Sequence, residues 1–193
     1  MPRKKEYNRE EVLQKAMHVF WNQGYKTTSV RELEKQMGIN QFSIYAAFQN
    51  KEALFLEVME EYRQWVKDHF LQKIIHSEGE LADLNDFLLS FGKSIAKGEY
   101  PEGCLMVNTT LSLNHSDQKI ARKVKFYFNY LGNIFFNYLQ KAKNKGRLNQ
   151  NFDCRKNAEF LLVNLQGLAV YAKHKEESAV SDYVEIIMSH FKK

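Results

Sequence analysis

Apolar residues recur at helical spacing along most of the chain, beginning with a stripe near the N-terminus. This stripe predicts a first helix over about residues 9–22. Asn8 is in position to cap this helix, and Gly24 is in position to end it. The stripe consists of Val12, Leu13, Ala16, Val19 and Phe20.

Two much shorter helices are predicted next, over residues 30–36 and 41–48. Ser29 opens the first of them as part of a Ser-Val-Arg-Glu capping box, and Asn40 caps the second. Gly38 allows a tight turn between them. Because isolated helices of this length are only marginally stable in water, the pair indicates a helix-turn-helix, whose second helix fits the major groove of DNA.

Within the second short helix, Ile44 and Phe48 are spaced to face the protein core. The remaining side chains of this helix are then predicted to lie nearer the outer surface. Asn50 is the predicted cap of the helix that follows. The outward residues are Gln41, Phe42, Ser43, Tyr45, Ala46 and Ala47.

The rest of the chain predicts helices over residues 55–75, 81–96, 116–144, 153–173 and 180–191, with a break at 97–101. Ser116 or Asn114 is the expected cap of the longest helix, and Gly146 its stop. This helix is apolar nearly all round, which predicts burial on most of its sides. The pattern predicts an all-α fold: a helix-turn-helix domain, residues 1–52, followed by a helical body, residues 53–193.

The last two predicted helices carry broad apolar stripes. Two such helices per chain are what a homodimeric four-helix interface requires, so we expect a homodimer. Alternatively, both stripes face only the core of their own chain. The stripe residues are Leu161, Leu165, Leu168 and Ala172 in the first helix and Val180, Val184, Ile187 and Phe191 in the second.

Composition is that of an ordinary globular protein, since 44% of the residues are hydrophobic and 26% are charged. Two prolines and nine glycines leave long uninterrupted stretches, which favours helices. No apolar run approaches the roughly 18 residues of a membrane span, and the first residues lack the apolar segment of a secretory signal. Two cysteines are too few for a disulfide framework. We therefore expect a cytoplasmic protein.

The net charge of +5 is concentrated near the N-terminus. Residues 1–52 carry nine Lys or Arg against six Asp or Glu, a net charge of +3. More than half of the positive surplus therefore lies in the first quarter of the chain, where it suits attraction to DNA phosphates.

The motifs of common enzyme classes are missing from the sequence. It has no glycine-rich phosphate loop, no paired Cys-x-x-Cys ligands, no His-Glu-x-x-His helix and no Gly-x-Ser-x-Gly elbow. Its six histidines form no metal-ligand spacing. We expect a protein that is not an enzyme and holds no metal or cofactor; only catalysis by scattered residues is left open.

Several short motifs follow one another in the first 55 residues. They are Gly24-Tyr25, Thr28-Ser29, Gly38-Ile39-Asn40, Ser-Ile-Tyr-Ala-Ala-Phe at 43–48 and Lys-Glu-Ala-Leu-Phe at 51–55. This order resembles the TetR family of one-component repressors, closely over residues 9–56 and in architecture over the remainder. Each motif alone is unspecific, but the whole signature is strong.

The resemblance implies two groups of DNA-contacting residues. The first group contacts the DNA backbone, because hydroxyls, phenols and lysines donate hydrogen bonds to phosphate; it consists of Thr28, Tyr45 and Lys51. Ser29, next to Thr28, is a further DNA-binding candidate. The second group lies nearest the bases and consists of Gln41, Phe42, Ser43 and Ala46. Gln41 is suited to adenine, and Phe42 or Ala46 to a thymine methyl group.

Two of these assignments have plain structural alternatives. Tyr45 could pack against the first helix, and Lys51 could be a solvated lysine of the first turn. The chain also departs from the common family pattern at Phe42, which is often a small residue, and at Ala46-Ala47, which are often bulkier. The base preference of other members therefore does not carry over.

The resemblance also implies a small-molecule pocket among the helices of residues 55–145. An aromatic wall with a few polar groups suits an apolar or aromatic effector. Alternatively, these aromatic residues are plain core. The candidate lining residues are Trp65, Phe87, Phe91, Met106, Asn108, Tyr127 and Tyr130.

Cys104 is a further effector-site candidate. The Gly103-Cys104-Leu105 segment, together with the Ala46-Ala47-Phe48 end of the recognition helix, resembles one branch of the family, in which some members sense oxidants or electrophiles through cysteine. Because it follows Pro101, Cys104 is expected at a helix N-terminus, where the helix dipole lowers the pKa of a thiol. Alternatively, it is a buried cysteine that acts as a small apolar group. Cys154 also lies near a helix start, without a supporting motif.

Together these observations predict a homodimeric repressor that binds a palindromic operator in double-stranded DNA. A small-molecule effector or a thiol modification in the body would release it by changing the separation of the two recognition helices. The alternative is a ligand-independent DNA-binding or architectural protein on the same fold.

Overall fold

Side-chain caps set the start of each helix in the N-terminal part. The computed structural model describes residues 7–191. The prediction that the chain lacks a secretory signal concerns residues 1–6, which are outside the described range. As predicted, Asn8, Ser29, Asn40 and Asn50 each accept backbone hydrogen bonds at a helix start. The four helices are α1 (Arg9–Gln23), α2 (Val30–Met37), α3 (Gln41–Phe48) and α4 (Lys51–Val66).

The predicted capping box at α2 is only half formed. The Ser29 hydroxyl accepts a hydrogen bond from the Glu32 backbone at 3.1 Å. The Glu32 carboxylate accepts instead from the Gln36 amide, one turn along the same helix. Gly38 ends α2 with φ +71°, the left-handed conformation that the predicted tight turn requires.

A compact core holds α2 and α3 against α1 and α4. Leu33 of α2 and Ile44 of α3 are almost fully buried. Phe20 of α1 meets Phe55 of α4 edge to face, with ring centroids 4.9 Å apart. The two short helices are therefore stabilised by packing rather than by their own length.

The body is built from longer helices. Below α4, a π-helical segment (Lys67–Leu71) leads into α5 (Gln72–His76). Then follow α6 (Leu81–Ala96), α7 (Leu105–Ser112), α8 (Gln118–Asn144), α9 (Cys154–Tyr171) and α10 (Glu177–Ser189), with a 3-10 turn (Ala172–His174) between the last two. The described residues confirm the all-α prediction, since they contain no strand.

Two predictions about the long helix α8 were wrong. Its N-cap is Asp117, without a side-chain cap bond, whereas the Asn114 side chain accepts from Ser116 in the preceding turn. The helix is also less buried than its composition indicated, since Phe126 is 56% exposed. Its aromatic residues are divided between core and surface, because one chain covers only part of its circumference.

The predicted stripes of α9 and α10 face the core of their own chain, as the alternative held. α9 packs on α8, and α10 packs on α6. A second set of apolar residues remains on the outer surface of the same two helices. We call it the outer face; it consists of Phe160, Val163, Val170 and Ile186, of which Val163 and Ile186 are 65% and 68% exposed.

A membrane-spanning helix was not expected, and among residues 7–191 no helix is both long and apolar enough to cross a bilayer.

Candidate functional sites

The outward side of α3 is the first candidate site. Ile44 and Phe48 anchor the helix in the core, so the opposite side is turned to solvent. Phe42 is 83% exposed, and Tyr45 is 37% exposed. Gln41 and Ala46 are also exposed, while Ser43 is half-buried. The structure therefore brings all five predicted residues of α3 to one end or side of the helix.

Two hydrogen bonds fix the N-terminus of α3. The Gln41 backbone N–H donates to the Glu34 carboxylate of α2 at 3.2 Å. The Ser43 backbone N–H donates to the Asn40 side chain at 2.8 Å. The first bond ties the start of α3 to α2 and the second caps α3, while the Gln41 and Phe42 side chains remain exposed.

The structure differs from the sequence-based expectation at Thr28. This side chain is buried, and its hydroxyl donates to the Gly24 carbonyl at 2.7 Å. The hydroxyl therefore stabilises the turn before α2 rather than facing solvent. Ser29 is exposed beside it, with its hydroxyl accepting from the α2 backbone.

Lys51 connects α4 to the same turn. Its ammonium group donates to the Thr28 carbonyl at 2.7 Å and lies 4.8 Å from the centroid of the Tyr25 ring. Because it is partly buried there, the pKa of Lys51 is lowered from its usual value. Lys51 is thus held in a defined position and is more than a solvated first-turn lysine.

An apolar cavity lies inside the body. Its empty space is about 360 Å³ including the mouth, but only about 20 Å³ is wide enough for a water molecule. Side chains therefore nearly close it, and a ligand must displace some of them. The lining comes from the helices around α8, namely Val66, Phe70, Leu71, Phe87, Phe91, Cys104, Val107, Tyr127, Phe128, Leu131, Leu165, Gln166 and Ala169.

Half of the predicted effector residues line this cavity, namely Phe87, Phe91, Cys104 and Tyr127. Trp65 lines a smaller neighbouring cavity. The other three lie elsewhere. Met106 is buried away from both cavities, Asn108 donates to the Glu102 carbonyl at 2.8 Å, and the Tyr130 ring lies under the Arg63 guanidinium group at 5.1 Å.

Sequence reasoning missed several lining residues. Phe70 was overlooked because the π-helical segment shifts its direction relative to an uninterrupted helix. Leu165 had been assigned to the dimer stripe. Within residues 7–191, no cluster of His, Cys, Asp and Glu side chains is arranged to hold a metal ion.

Comparison with protein families covers most of the chain. Residues 12–58 match the family of bacterial regulatory proteins described as tetR family. Residues 81–187 match the tetracyclin repressor-like C-terminal domain. The chain belongs to the TetR family. It is a transcriptional regulator with an N-terminal helix-turn-helix.

Individual relatives agree with this assignment. The chain is 28% identical over 172 residues to the HTH-type transcriptional repressor ComR of Escherichia coli (strain K12), covering 89% of this chain and 82% of ComR. It is 26% identical to the HTH-type transcriptional regulator YezE of Bacillus subtilis (strain 168), covering 98% of both. A cysteine mutant of the TetR family transcriptional regulator CifR, complexed with 26-base-pair operator DNA, is similar at TM-score 0.89 and 26% identity, covering 97% of this chain and 98% of that one.

In this TetR-family chain, Cys104 differs from the sequence-based expectation. It is the N-cap of α7, as predicted, but it is buried. Burial raises the pKa of the Cys104 thiol, while hydrogen bonding with the Tyr62 side chain and with the backbone of Val107 and Met106 at the start of α7 acts less strongly in the opposite direction. The predicted lowering of the pKa was therefore wrong, since desolvation outweighs the helix terminus. Cys154 is also buried, and burial raises its pKa too.

Trp21 links the DNA-reading part of this TetR-family regulator to the body. Its indole N–H donates to the Gly103 carbonyl at 2.9 Å, in a buried position. The indole stacks parallel to Tyr100, with ring centroids 5.8 Å apart, and meets Tyr62 edge to face at 5.0 Å. Cys104, the residue that follows Gly103, lines the apolar cavity. The Gly103 carbonyl that accepts the Trp21 hydrogen bond is therefore one peptide bond away from the cavity wall.

Salt bridges join the same two parts at the surface. Lys26 pairs with Asp117 at 3.0 Å, and Glu52 pairs with Lys119 at 2.8 Å. Exposed pairs of this kind contribute little stability, about 0–1 kcal/mol each. The buried Trp21 contact is therefore the stronger constraint on the position of α1 relative to the body.

Proposed function

We propose that this TetR-family regulator is a homodimeric repressor that binds a palindromic operator through α3 and is released by a small-molecule effector. The exposed side of α3 supports this most directly, because its Gln41, Phe42 and Tyr45 side chains are accessible to the major groove of DNA. The similarity over 97% of the chain to CifR, whose structure contains operator DNA, supports the same partner. Such a protein acts in the cytoplasm, where the DNA is, and is not an enzyme.

Within this proposal, the α3 residues divide by chemistry. Gln41, Phe42 and Ala46 face the bases, where an amide pairs with adenine and an apolar group contacts a thymine methyl. Ser43 lies beside them, while Tyr45 donates a hydrogen bond to a phosphate and fixes the register. The boundary between the helix-turn-helix domain and the helical body falls between residues 52 and 53, within the first turn of α4.

Lys51 and Ser29 complete the phosphate contacts around the turn that precedes α2. The Lys51 ammonium group has three N–H donors, and the Thr28 carbonyl uses one of them. The Lys26 carbonyl accepts a second, longer hydrogen bond at 3.5 Å, which leaves the third N–H for a phosphate oxygen. Thr28 then contributes by holding Lys51 through its carbonyl, while its buried hydroxyl stabilises the turn.

The outer face of α9 and α10 supports the homodimer. Its members, Phe160, Val163, Val170 and Ile186, lie on helices that already pack inward on their own core. Two copies of such a pair of helices form a four-helix interface around a two-fold axis. A two-fold dimer presents two α3 helices to two half-sites, which explains the expected palindrome.

Release requires that the effector cavity and α3 influence each other. A ligand that opens the nearly closed cavity displaces its wall at Cys104 and therefore the neighbouring Gly103 carbonyl. The Trp21 hydrogen bond transmits this displacement to α1, which packs directly on α4 and α2. The two recognition helices then no longer match both half-sites at once.

The alternative is a ligand-independent DNA-binding protein on the same fold. Binding linkage distinguishes the two: an effector that weakens operator binding must itself bind more weakly when the operator is present. The test is to select a binding duplex from random DNA and then screen small apolar and aromatic molecules. A molecule that both raises the thermal midpoint and releases the operator supports the repressor. Stabilisation without release supports the alternative.

A further inference from the structure

A polar cleft lies on the outside of the body, next to the apolar cavity. It offers about 350 Å³ of space wide enough for water-sized groups, so unlike the cavity it is open in this structure. It lies along α6 and the π-helical segment. Its lining residues are His69, Phe70, Ser90, Lys93, Ser94, Lys97, Glu99 and Tyr100.

Positive charge predominates in this cleft. Within the described residues, the Lys93 ammonium group has no ion pair and no hydrogen bond. Lys97 is one helical turn away and is only loosely paired, at 3.6 Å from the Glu177 carboxylate. Glu99 supplies the single carboxylate of the lining. Two lysines against one glutamate favour an anionic group.

His69 adds a directed donor or acceptor at the same place. Its Nδ1 atom is hydrogen-bonded to the Trp65 carbonyl at 2.8 Å, and its ring stacks on the Trp65 indole at 4.4 Å. Nδ1 therefore donates, and Nε2 is the ring nitrogen left for a ligand. Protonation of Nε2 would provide a further N–H donor for an anion.

Phe70 forms the wall between the cleft and the apolar cavity, because it lines both. Its ring is half-buried and makes edge-to-face contacts with Phe91 at 5.5 Å and Tyr100 at 5.9 Å. It lies in the π-helical segment, an irregularity that is frequent at functional sites. Among residues 7–191, Phe70 is the one side chain that the linings of the cleft and the cavity share.

We propose that the effector is an amphipathic acid whose apolar chain fills the cavity and whose anionic head binds Lys93 and His69 in the cleft. This rests on the proposed effector-released repressor. It also narrows the expected effector class, since an apolar molecule without a charge would leave the cleft empty. Phe70 moves aside to admit the chain, and the chain then displaces the side chains that close the cavity.

Direct binding to the dimer without DNA tests this. Both tryptophans lie near Phe70, since Trp65 is 5.7 Å from it and Trp21 is 5.1 Å from Trp65, so indole fluorescence reports occupancy. The probes are decanoate, decanol and decylammonium, below their aggregation concentrations. Decanoate should bind about tenfold more tightly than decanol. Affinity should rise about fourfold for each methylene from octanoate to decanoate.

Variants of the charged residues in the cleft show whether the anionic head group binds there. Lys93→Gln should bring decanoate to the affinity of decanol, and Glu99→Gln should strengthen decanoate about threefold. Lys125→Gln, an exposed lysine of α8 outside the cleft, is the matched control and should change neither. Decanol should be unaffected by all three.

Equal binding of decanoate and decanol to the wild type would overturn the proposal, as would a preference that survives Lys93→Gln. So would the absence of binding by every probe. Operator binding is measured separately on the same preparations. Failure of the acid therefore leaves the DNA-binding function intact, whereas loss of operator binding does not affect the affinities measured without DNA.

Discussion

The Trp21 indole N–H donates a hydrogen bond to the Gly103 carbonyl oxygen at 2.9 Å, across the boundary between α1 and the start of α7. Both partners are buried. Gly103 precedes Cys104 in the cavity wall, and Trp21 lies on the helix that carries the DNA-reading unit. This hydrogen bond therefore joins α1 directly to the residue that precedes the cavity wall.

Trp21→Phe should retain ring packing against Tyr100 and Tyr62 but leave the Gly103 carbonyl without its donor. A buried unpaired carbonyl costs about 1–3 kcal/mol of unfolding free energy. Because the link to the cavity is lost, the effector should release the operator less effectively, although the operator affinity without effector changes little. Denaturant unfolding and effector-dependent operator binding measure the two effects.

Trp65→Phe is the matched control for this variant. Trp65 belongs to the same aromatic cluster, 5.1 Å from Trp21, but it makes no hydrogen bond to Gly103. At effector concentrations that saturate each protein, this variant should release the operator as the wild type does. If both variants retain full release, the hydrogen bond has no role in coupling.

Gly103→Ala should destabilise the fold more than Gly98→Ala. Both glycines have positive φ, +69° and +77°, so both substitutions carry the backbone strain of about 1–2 kcal/mol. At Gly103 the new Cβ would also lie 2.7 Å from the Ala169 carbonyl oxygen, whereas at Gly98 it meets open space. We expect about 3 kcal/mol against about 1 kcal/mol in denaturant unfolding. Equal costs would show that the contact with α9 is relaxed in solution.

Lys51→Ala should weaken operator binding and reduce its dependence on salt. Each lysine that neutralises a phosphate contributes about 0.9 to the slope of log affinity against log salt, so two copies per dimer contribute about two. The lost hydrogen bond to Thr28 should also reduce the unfolding free energy by about 1 kcal/mol. Lys156→Ala, on the surface of α9, is the control. A lower stability with an unchanged slope would restrict Lys51 to a structural role.

Val163→Asp should dissociate the dimer. Val163 is 65% exposed in one chain, and in the outer face it would be covered by the partner. Burying an unpaired carboxylate on each side costs about 3 kcal/mol or more, which raises the dissociation constant at least about hundredfold. Leu111→Asp, at a residue that is 78% exposed on α7, should leave the dimer intact. Sedimentation equilibrium measures the dimer dissociation constants of both variants. Equal dissociation constants would mean that the interface lies elsewhere.

The start of each N-terminal helix could be predicted because its cause is local in sequence. Asn8, Ser29, Asn40 and Asn50 each bond to a backbone N–H two or three residues ahead, and such spacing is visible in the sequence. The all-α fold and the outward side of α3 followed from the same periodicity. Thr28 did not, because its hydroxyl bonds backward to Gly24, and only the geometry of the turn decides that direction.

In the body, sequence periodicity could not show whether an apolar residue packs on its own chain or remains on the outer surface. Leu161 lies against its own chain and Val163 remains outside, although both belong to the same apolar helix α9. Phe70 was not predicted to line the cavity, because the π-helical segment changes the direction of its side chain. At Cys104, desolvation outweighs the helix terminus, and the sequence does not reveal how deeply a residue is buried.

Binding of a palindromic operator requires two α3 helices that the outer face holds at a fixed distance. The most direct test takes the duplex selected from random DNA and inserts half a helical turn, about five base pairs, between its half-sites. If the dimer binds both half-sites together, the insertion should reduce affinity at least about hundredfold at moderate salt, to that of a single half-site. Unchanged affinity after the insertion, or no preference for any duplex over bulk DNA, would contradict it.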